Sequence, residues 1–298
     1  MKRRKFIRNA SLAAAVLSLN KQDALAALIN TQEYNFLTLR DSIGIFTEAG
    51  GTIGWLNSDE GYLVVDAQFP HSASHLIGEL KKLGSKPFNY LINTHHHGDH
   101  TAGNIAFKGL IGKVVAHNNS LINQKAVAKR SDKESEQLYP DTVFTESWEL
   151  KTGKESVKAH YFGPGHTNGD AIIHFQNANI VHMGDLVFNR RYPFIDKSAG
   201  ADIGNWIQVL QKAMDTFDRD TLFIFGHSLD PEKIIGSQAD IKAFQNYLSA
   251  LLDHVGGQIK SGRNLEEILK TESIPGVPEW QGDGIERSLN AAYQELNQ

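Results

Sequence analysis

The stretch Thr94-His95-His96-His97-Gly98-Asp99-His100-Thr101-Ala102-Gly103-Asn104 constrains this chain more than any other. Four imidazoles and a carboxylate fall within six positions, directly after the apolar run Tyr90-Leu91-Ile92. A strand followed by a tight loop brings such side chains together at the strand's end. Imidazole nitrogen and carboxylate oxygen are ligands that borderline-soft zinc accepts. A solvated loop has little reason to collect groups that titrate or repel one another, so the stretch reads as a metal loop. Its spacing says more. His95-x-His97 and Asp99-His100 are two ligand pairs, and neighbours in a loop can hardly serve one small ion together with both members of another pair. Two adjacent ions are the natural reading.

The chain has 298 residues, enough for one large or two small domains. Cysteine is absent, which excludes disulfides, zinc–thiolate sites and a cysteine nucleophile. Residues 1–26 read as a signal peptide. Lys2-Arg3-Arg4-Lys5-Phe6-Ile7-Arg8 is basic, Ala10 to Leu19 is a short apolar run, and Ala24-Leu25-Ala26 offers a small-x-small cleavage site. The run is too short for a permanent membrane span. The arginine pair followed by x-Phe-Ile resembles a twin-arginine signal, with a plain Sec signal as the alternative. Either way the expected location is periplasmic or otherwise exported. The formal charge is −4; residues 1–26 hold six Lys/Arg and one Asp, so residues 27–298 carry −9. No basic cluster remains to attract a polyanion, which disfavours nucleic acid as a partner and favours a small-molecule substrate.

Strands are expected over 36–39, 43–46, 52–56 and 62–66, then 87–93, which delivers the metal loop. Helical spacing begins near His75 and stops at Gly84. His71 and His75 read as helix-start or surface histidines, and His117 as structural. Residues 119–140 are polar, with a helix near Ile122 to Ala128. Strands follow at 148–150 and 157–162, then Gly163-Pro164-Gly165-His166-Thr167-Asn168-Gly169-Asp170, whose glycines permit a backbone tight enough to aim one imidazole inward. The pair 171–175 and 179–182, with His174 and His182 packed inside it, ends at Met183-Gly184-Asp185. An aromatic loop over 186–205 offers Asn189, Arg190 and Tyr192 as pocket candidates. A helix over 206–217 precedes the buried strand 221–227, ending in Gly226-His227. Helical spacing from Ile241 to Val255 is stopped by Gly256-Gly257, and Asn264-Leu265-Glu266-Glu267 reads as a capping box. No repeat or linker marks a second domain.

Thr-His-x-His-x-Asp-His resembles the signature of the metallo-β-lactamase-fold hydrolases, with every fixed position filled and His96 and Gly98 at the variable ones. The later Gly-Pro-Gly-His-Thr, Gly-Asp and Gly-His runs follow in the family's order, so the resemblance covers nearly all of residues 27–298. It implies an α+β fold: an αβ/βα four-layer sandwich of two mixed sheets flanked by helices, with metal at one edge. It implies a first site of His95, His97 and His166, a second of Asp99, His100 and His227, and Asp185 bridging the two. His96 is then a non-ligand, Asp170 is structural, and Asp66 orients the metal loop from behind. A segment within 119–140 overhangs the site by analogy. Two Zn²⁺ per chain would share a water, lower its pKa and let it attack a small ester, lactone, thioester, amide or lactam, with Asp99 as the catalytic proton carrier. A β-lactamase-type antibiotic hydrolase is the alternative within the class, although such enzymes generally lack the bridging Asp. Outside the class stand a mononuclear non-haem iron oxygenase of the persulfide dioxygenase type and a non-catalytic zinc-binding protein.

Overall fold

Alternation along the strands decides the layers. In the computed structural model, which describes residues 34–297, Leu63 and Val65 face one side of their strand and join Ile45, Leu56, Ile92 and Val115 in a core shared with Val157, Ile173, Phe175, Ile180 and Ile224. Successive strand side chains point to opposite faces, so the residues between them serve other layers. Tyr62, for example, sends its hydroxyl to the Leu80 and Gly84 carbonyls at the end of a helix (2.6 and 2.8 Å). Likewise Ile172, Val181 and Phe223 turn away from the shared core and pack with Trp206, Leu210, Phe244, Leu248 and Leu289. Two sheets therefore face each other with helices outside.

The first sheet pairs β1 (Asn35–Arg40), β2 (Ile43–Thr47), β3 (Ile53–Ser58), β4 (Gly61–Val65), β5 (Phe88–Asn93), β6 (Ile111–His117) and β7 (Thr142–Phe144) in that order. The second takes β8 (Ser147–Thr152), β9 (Glu155–His160), β10 (Ile172–Phe175), β11 (Ile180–His182), β13 (Leu222–Ile224) and β15 (Ile235–Gly236). A small parallel pair joins β12 (Phe188–Asn189) to β14 (His227–Ser228). Both large sheets are mixed, as expected. The helices are α1 (Pro70–Leu83), the one-turn α2 (Gly98–Thr101), α3 (Asn118–Arg130), α4 (Ile203–Thr216), α5 (Gln238–Lys260), the short α6 (Leu265–Ile268) and α7 (Ile285–Leu296).

Parallel pairing places the site. β4 pairs β5 in one sheet and β11 pairs β13 in the other, both parallel. The loops after these strands carry Asp66, His95, Asp185 and His227, so four segments with candidate site residues leave the sandwich at one edge. Three expectations shift. Helix α1 begins at Pro70 rather than near His75, because proline suits a helix's first position. Helix α5 runs through Gly256 and Gly257 to Lys260. The strand expected over 221–227 ends at Ile224, and His227 belongs instead to β14, beside Phe188. The proposed signal over 1–26 lies outside the described residues. Among the described residues, no helix is long and apolar enough to cross a membrane.

Candidate metal centre

Three imidazoles converge at the end of β5. His97 Nδ1 lies 3.1 Å from His95 Nε2 and 2.9 Å from His166 Nε2. Each ring's other nitrogen is engaged outward. Thr94 Oγ1 donates to Asp66 (2.7 Å), so its lone pairs accept from His95 Nδ1 at 3.0 Å. His97 Nε2 donates to Asp196 Oδ2 at 2.9 Å, and His166 Nδ1 to the Phe194 carbonyl at 2.6 Å. That network leaves a lone pair on each inward nitrogen. Three facing lone pairs this close repel unless a cation or proton sits among them, and tetrahedral zinc with bonds of about 2.0–2.1 Å needs its ligands about 3.3 Å apart. The set fits such an ion.

A second group stands beside it. His227 Nε2 is 3.1 Å from Asp99 Oδ2, and His100 Nε2 is 3.7 Å from the same oxygen. Asp185 lies between the groups. Its Oδ1 is 3.0 Å from His100 Nε2, while Oδ2 is 3.4 Å from His227, 3.5 Å from His166 and 3.8 Å from His95. His100 Nε2 and Asp185 Oδ1 are both buried and make no hydrogen bond. Buried polar atoms are ordinarily satisfied, so this orphaned pair fits a shared ion as well. All seven sequence-expected residues are thus brought together.

The backbone is shaped to allow it. Asp66 sits in the left-handed region (φ 64°) just past β4 and accepts from Thr94 N, Thr94 Oγ1 and His100 Nδ1 at 2.8, 2.7 and 2.7 Å. It holds the loop from behind. A Cβ at Gly51 would overlap the His100 imidazole, and one at Gly226 would overlap Asp185 Oδ1. His182 spans the sheets: Nε2 donates to the Thr52 carbonyl (3.0 Å), and Nδ1 accepts from Gly184 N (3.1 Å), fixing the turn that carries Asp185. Asp170 accepts from Thr167 N and Oγ1 (2.8 and 2.6 Å). His117 accepts from Asn119 N and stacks on Tyr161. His96 turns toward Asp196 (3.6 Å) and contributes nothing to either group.

Electrostatics follow burial and neighbours. Burial, then His100, lowers His95 well below the usual imidazole range; burial and His97 bring His166 down to about 3. Burial alone would raise Asp185, yet His227, His100 and His95 hold it well below the carboxylate range. Asp99, against its burial, is held at about 2 by His100 and His227. Conversely, burial would lower His100 and His227, but Asp185 and the other carboxylates raise His100 well above its ordinary value and His227 to about 9. His95 and His166 are therefore neutral imidazoles, whereas His100 and His227 are imidazoliums between ionised carboxylates.

A cavity of about 330 Å³ opens over the centre, lined by Asp99, Asp185 and His227 below and by Arg191, Tyr192, Phe194 and Arg287 among its walls. Of the three loop candidates only Tyr192 reaches it. Asn189 Nδ2 instead donates to the Lys233 carbonyl, and Arg190 lies over the Trp280 ring. The segment 119–140 does not line the cavity; helix α3 within it is tied to Asn93 and Asn168. Arg191, Arg287, Asp196 and the Phe194 carbonyl were not singled out by the sequence. A larger cleft of about 470 Å³, around Asp59, Lys154 and Glu155, holds none of these groups.

The family model of the Metallo-beta-lactamase superfamily matches residues 47–227. The chain belongs to this superfamily. The match contains every residue of both groups and stops before α7. Metallo-beta-lactamase-superfamily proteins bind metal ions, usually zinc, which agrees with the histidine-rich clusters here. Among relatives, the Metallo-beta-lactamase type 2 of Bacillus sp. (strain 170) is 24% identical over 226 residues, covering 73% of this chain and 85% of its own. The 2,4-dinitroanisole O-demethylase subunit alpha of Nocardioides sp. (strain JS1661) is 27% identical over 135 residues, 45% of this chain and 40% of its own. Among solved structures, the Metallo-beta-lactamase from Pontibacter korlensis superposes with a TM-score of 0.60 at 17% identity, covering 72% of this chain and 99% of that one. A sec-alkyl sulfatase double mutant superposes with a TM-score of 0.69 at 12% identity, covering 88% of this chain and 50% of that one. Both structures share this superfamily's fold.

Proposed function

We propose that the protein is an exported zinc-dependent hydrolase with two ions per chain, acting on a small ester, lactone, thioester, amide or lactam. The observation that carries this reading is Asp185, whose two oxygens face both groups at 3.0–3.8 Å. A carboxylate can bridge a metal pair, whereas a mononuclear centre would leave His100 and His227 without a role. His95, His97 and His166 would hold one ion, Asp99, His100 and His227 the other, with Asp185 between. Zinc bound there supplies a Lewis acid and acidifies water to near neutrality.

The chain's own groups do the rest. The Asp99 side chain, about one-third exposed on the cavity floor, stays ionised and can accept a proton at Oδ and return it to a leaving group. Tyr192 and Phe194 wall the site and limit water. Arg191 and Arg287 are positioned to meet an anionic group remote from the scissile bond. Removal of a signal ending at Ala26 completes the proposal, and the mass of the secreted chain tests it.

Metal content by elemental analysis, followed on the same sample by lactam, lactone and thioester hydrolysis, tests the reading. About two zinc ions per chain with turnover of one such class supports it. A single iron overturns it. His97→Ala is expected to lose hydrolysis and metal together, and full activity in that variant would sink the assignment. Asp185→Ala is expected to reduce the pair to at most one tightly held ion with the fold retained.

A further inference from the structure

We propose that Glu48, His71 and His75 form a third metal site, outside the paired centre, that takes one zinc or similar borderline transition-metal ion. His71 and His75 stand four apart on the first two turns of α1, hence on one face. Glu48 reaches them from just beyond β2. Its Oε2 is 3.0 Å from His75 Nδ1 and its Oε1 is 3.6 Å from His71 Nε2, while the two rings meet edge-on with centroids 4.2 Å apart. Those separations straddle the roughly 3.3 Å expected between ligands of a tetrahedral zinc.

The carboxylate's surroundings favour an ion over an ordinary surface pair. The Glu48 side chain is only 11% exposed, yet among the described residues no lysine or arginine lies within 4.0 Å of it. A largely covered carboxylate needs compensating charge. His71, at 77% exposed, leaves the site open to solvent, so an ion can enter and keep water as its fourth ligand.

The location gives the site a use. Glu48 precedes Ala49-Gly50-Gly51, whose backbone Gln68 grips through Ala49 N and the Gly51 carbonyl. Gly51 N in turn donates to the Asp99 carbonyl at 3.1 Å. An ion bound by Glu48 and α1 therefore staples the loop against which Asp99 and His100 rest.

The test compares the full mature chain with the His71→Asn/His75→Gln variant. Both are stripped with chelator and titrated with zinc against a chromophoric competitor, and thermal unfolding is followed at saturation. The expected result is one equivalent fewer in the variant, together with loss of the last increment of zinc-dependent rise in Tm. Glu48→Gln is expected to weaken the same equivalent at least tenfold while leaving the others. Equal stoichiometry in the parent and in the variant overturns the proposal, as does an unchanged affinity in Glu48→Gln. Because the readout is a difference of one equivalent, it stands or falls separately from how many ions the paired centre holds.

Discussion

Asp66 Oδ2 lies 2.7 Å from His100 Nδ1, and neither side chain is exposed to solvent. The carboxylate takes the ring's N–H, which fixes the tautomer and turns Nε2 toward Asp185. Asp66→Asn preserves shape and tolerates the left-handed backbone, but it places an NH₂ group where an acceptor is needed. The expected result is zinc affinity in the second group about 10–100-fold weaker, as for other outer partners of ligating histidines. The first group should weaken less, because Asp66 reaches His95 only through Thr94 Oγ1. Competitive zinc titration checks this; equal weakening of both ions would mean that Asp66 supports the fold rather than His100.

Gly51 permits the close approach of backbone to the His100 ring. Because that ring is fully buried and tied to Asp66, a methyl group at Gly51 cannot be accommodated by swinging the imidazole aside. Gly51→Ala should destabilise the protein by about 1–3 kcal/mol, the usual cost of overpacking, and lose the second ion. Gly78→Ala is the control. That glycine lies inside α1 with open space around its Cβ direction, and the change should stabilise by up to about 1 kcal/mol. Thermal unfolding of the two variants should move in opposite directions.

Each proposed ligand stood in a local motif, because one loop or one Gly-flanked turn carries it and spacing alone exposes it. Asp196 did not, for its contact with His97 spans 99 positions and nothing around it alternates or repeats. The same holds for Arg191 and Arg287. They meet at the cavity only because Gln281 pairs backbone to backbone with Arg190 and Tyr192, and Ser288 Oγ donates to the Pro193 carbonyl. Glycine misled in α5, where the propensity cost of about 1 kcal/mol per residue is overridden by the burial of Leu248, Leu251 and Val255. It misled again at Gly226, read as part of a strand; there, absence of a side chain makes room for Asp185.

Arg191 and Arg287 have no carboxylate within 4.0 Å among the described residues, and Arg287 lies over the Phe194 ring, 5.8 Å from its centroid. Asp283 lines the same cavity and tempers their field. Both guanidiniums are exposed, so each contact is screened. Replacing either by alanine is expected to raise KM about 3–10-fold for a carboxylate-bearing ester, at little cost in kcat. For the neutral methyl ester KM should barely change. Equal changes for the two substrates would remove the arginines from substrate recognition.

Protons should leave when the second ion binds. In the metal-free protein Asp185 and its neighbouring carboxylates keep His227 protonated up to about pH 9 and His100 well above the usual range. Zinc takes neutral imidazole, so at pH 7 its entry displaces about two protons. The sign follows: a displaced proton opposes binding more strongly as pH falls, so second-site affinity should rise by up to about a hundredfold per unit between pH 6 and 8. The slope should halve once His227 titrates near pH 9. The first group behaves differently, since His95 and His166 are already neutral at pH 7 and displace no proton. Calorimetric titration in buffers of different ionisation enthalpy separates the two steps. Proton release that accompanies only the ion of the His95 and His166 group, or none at all, would contradict the charge pattern read from Asp185.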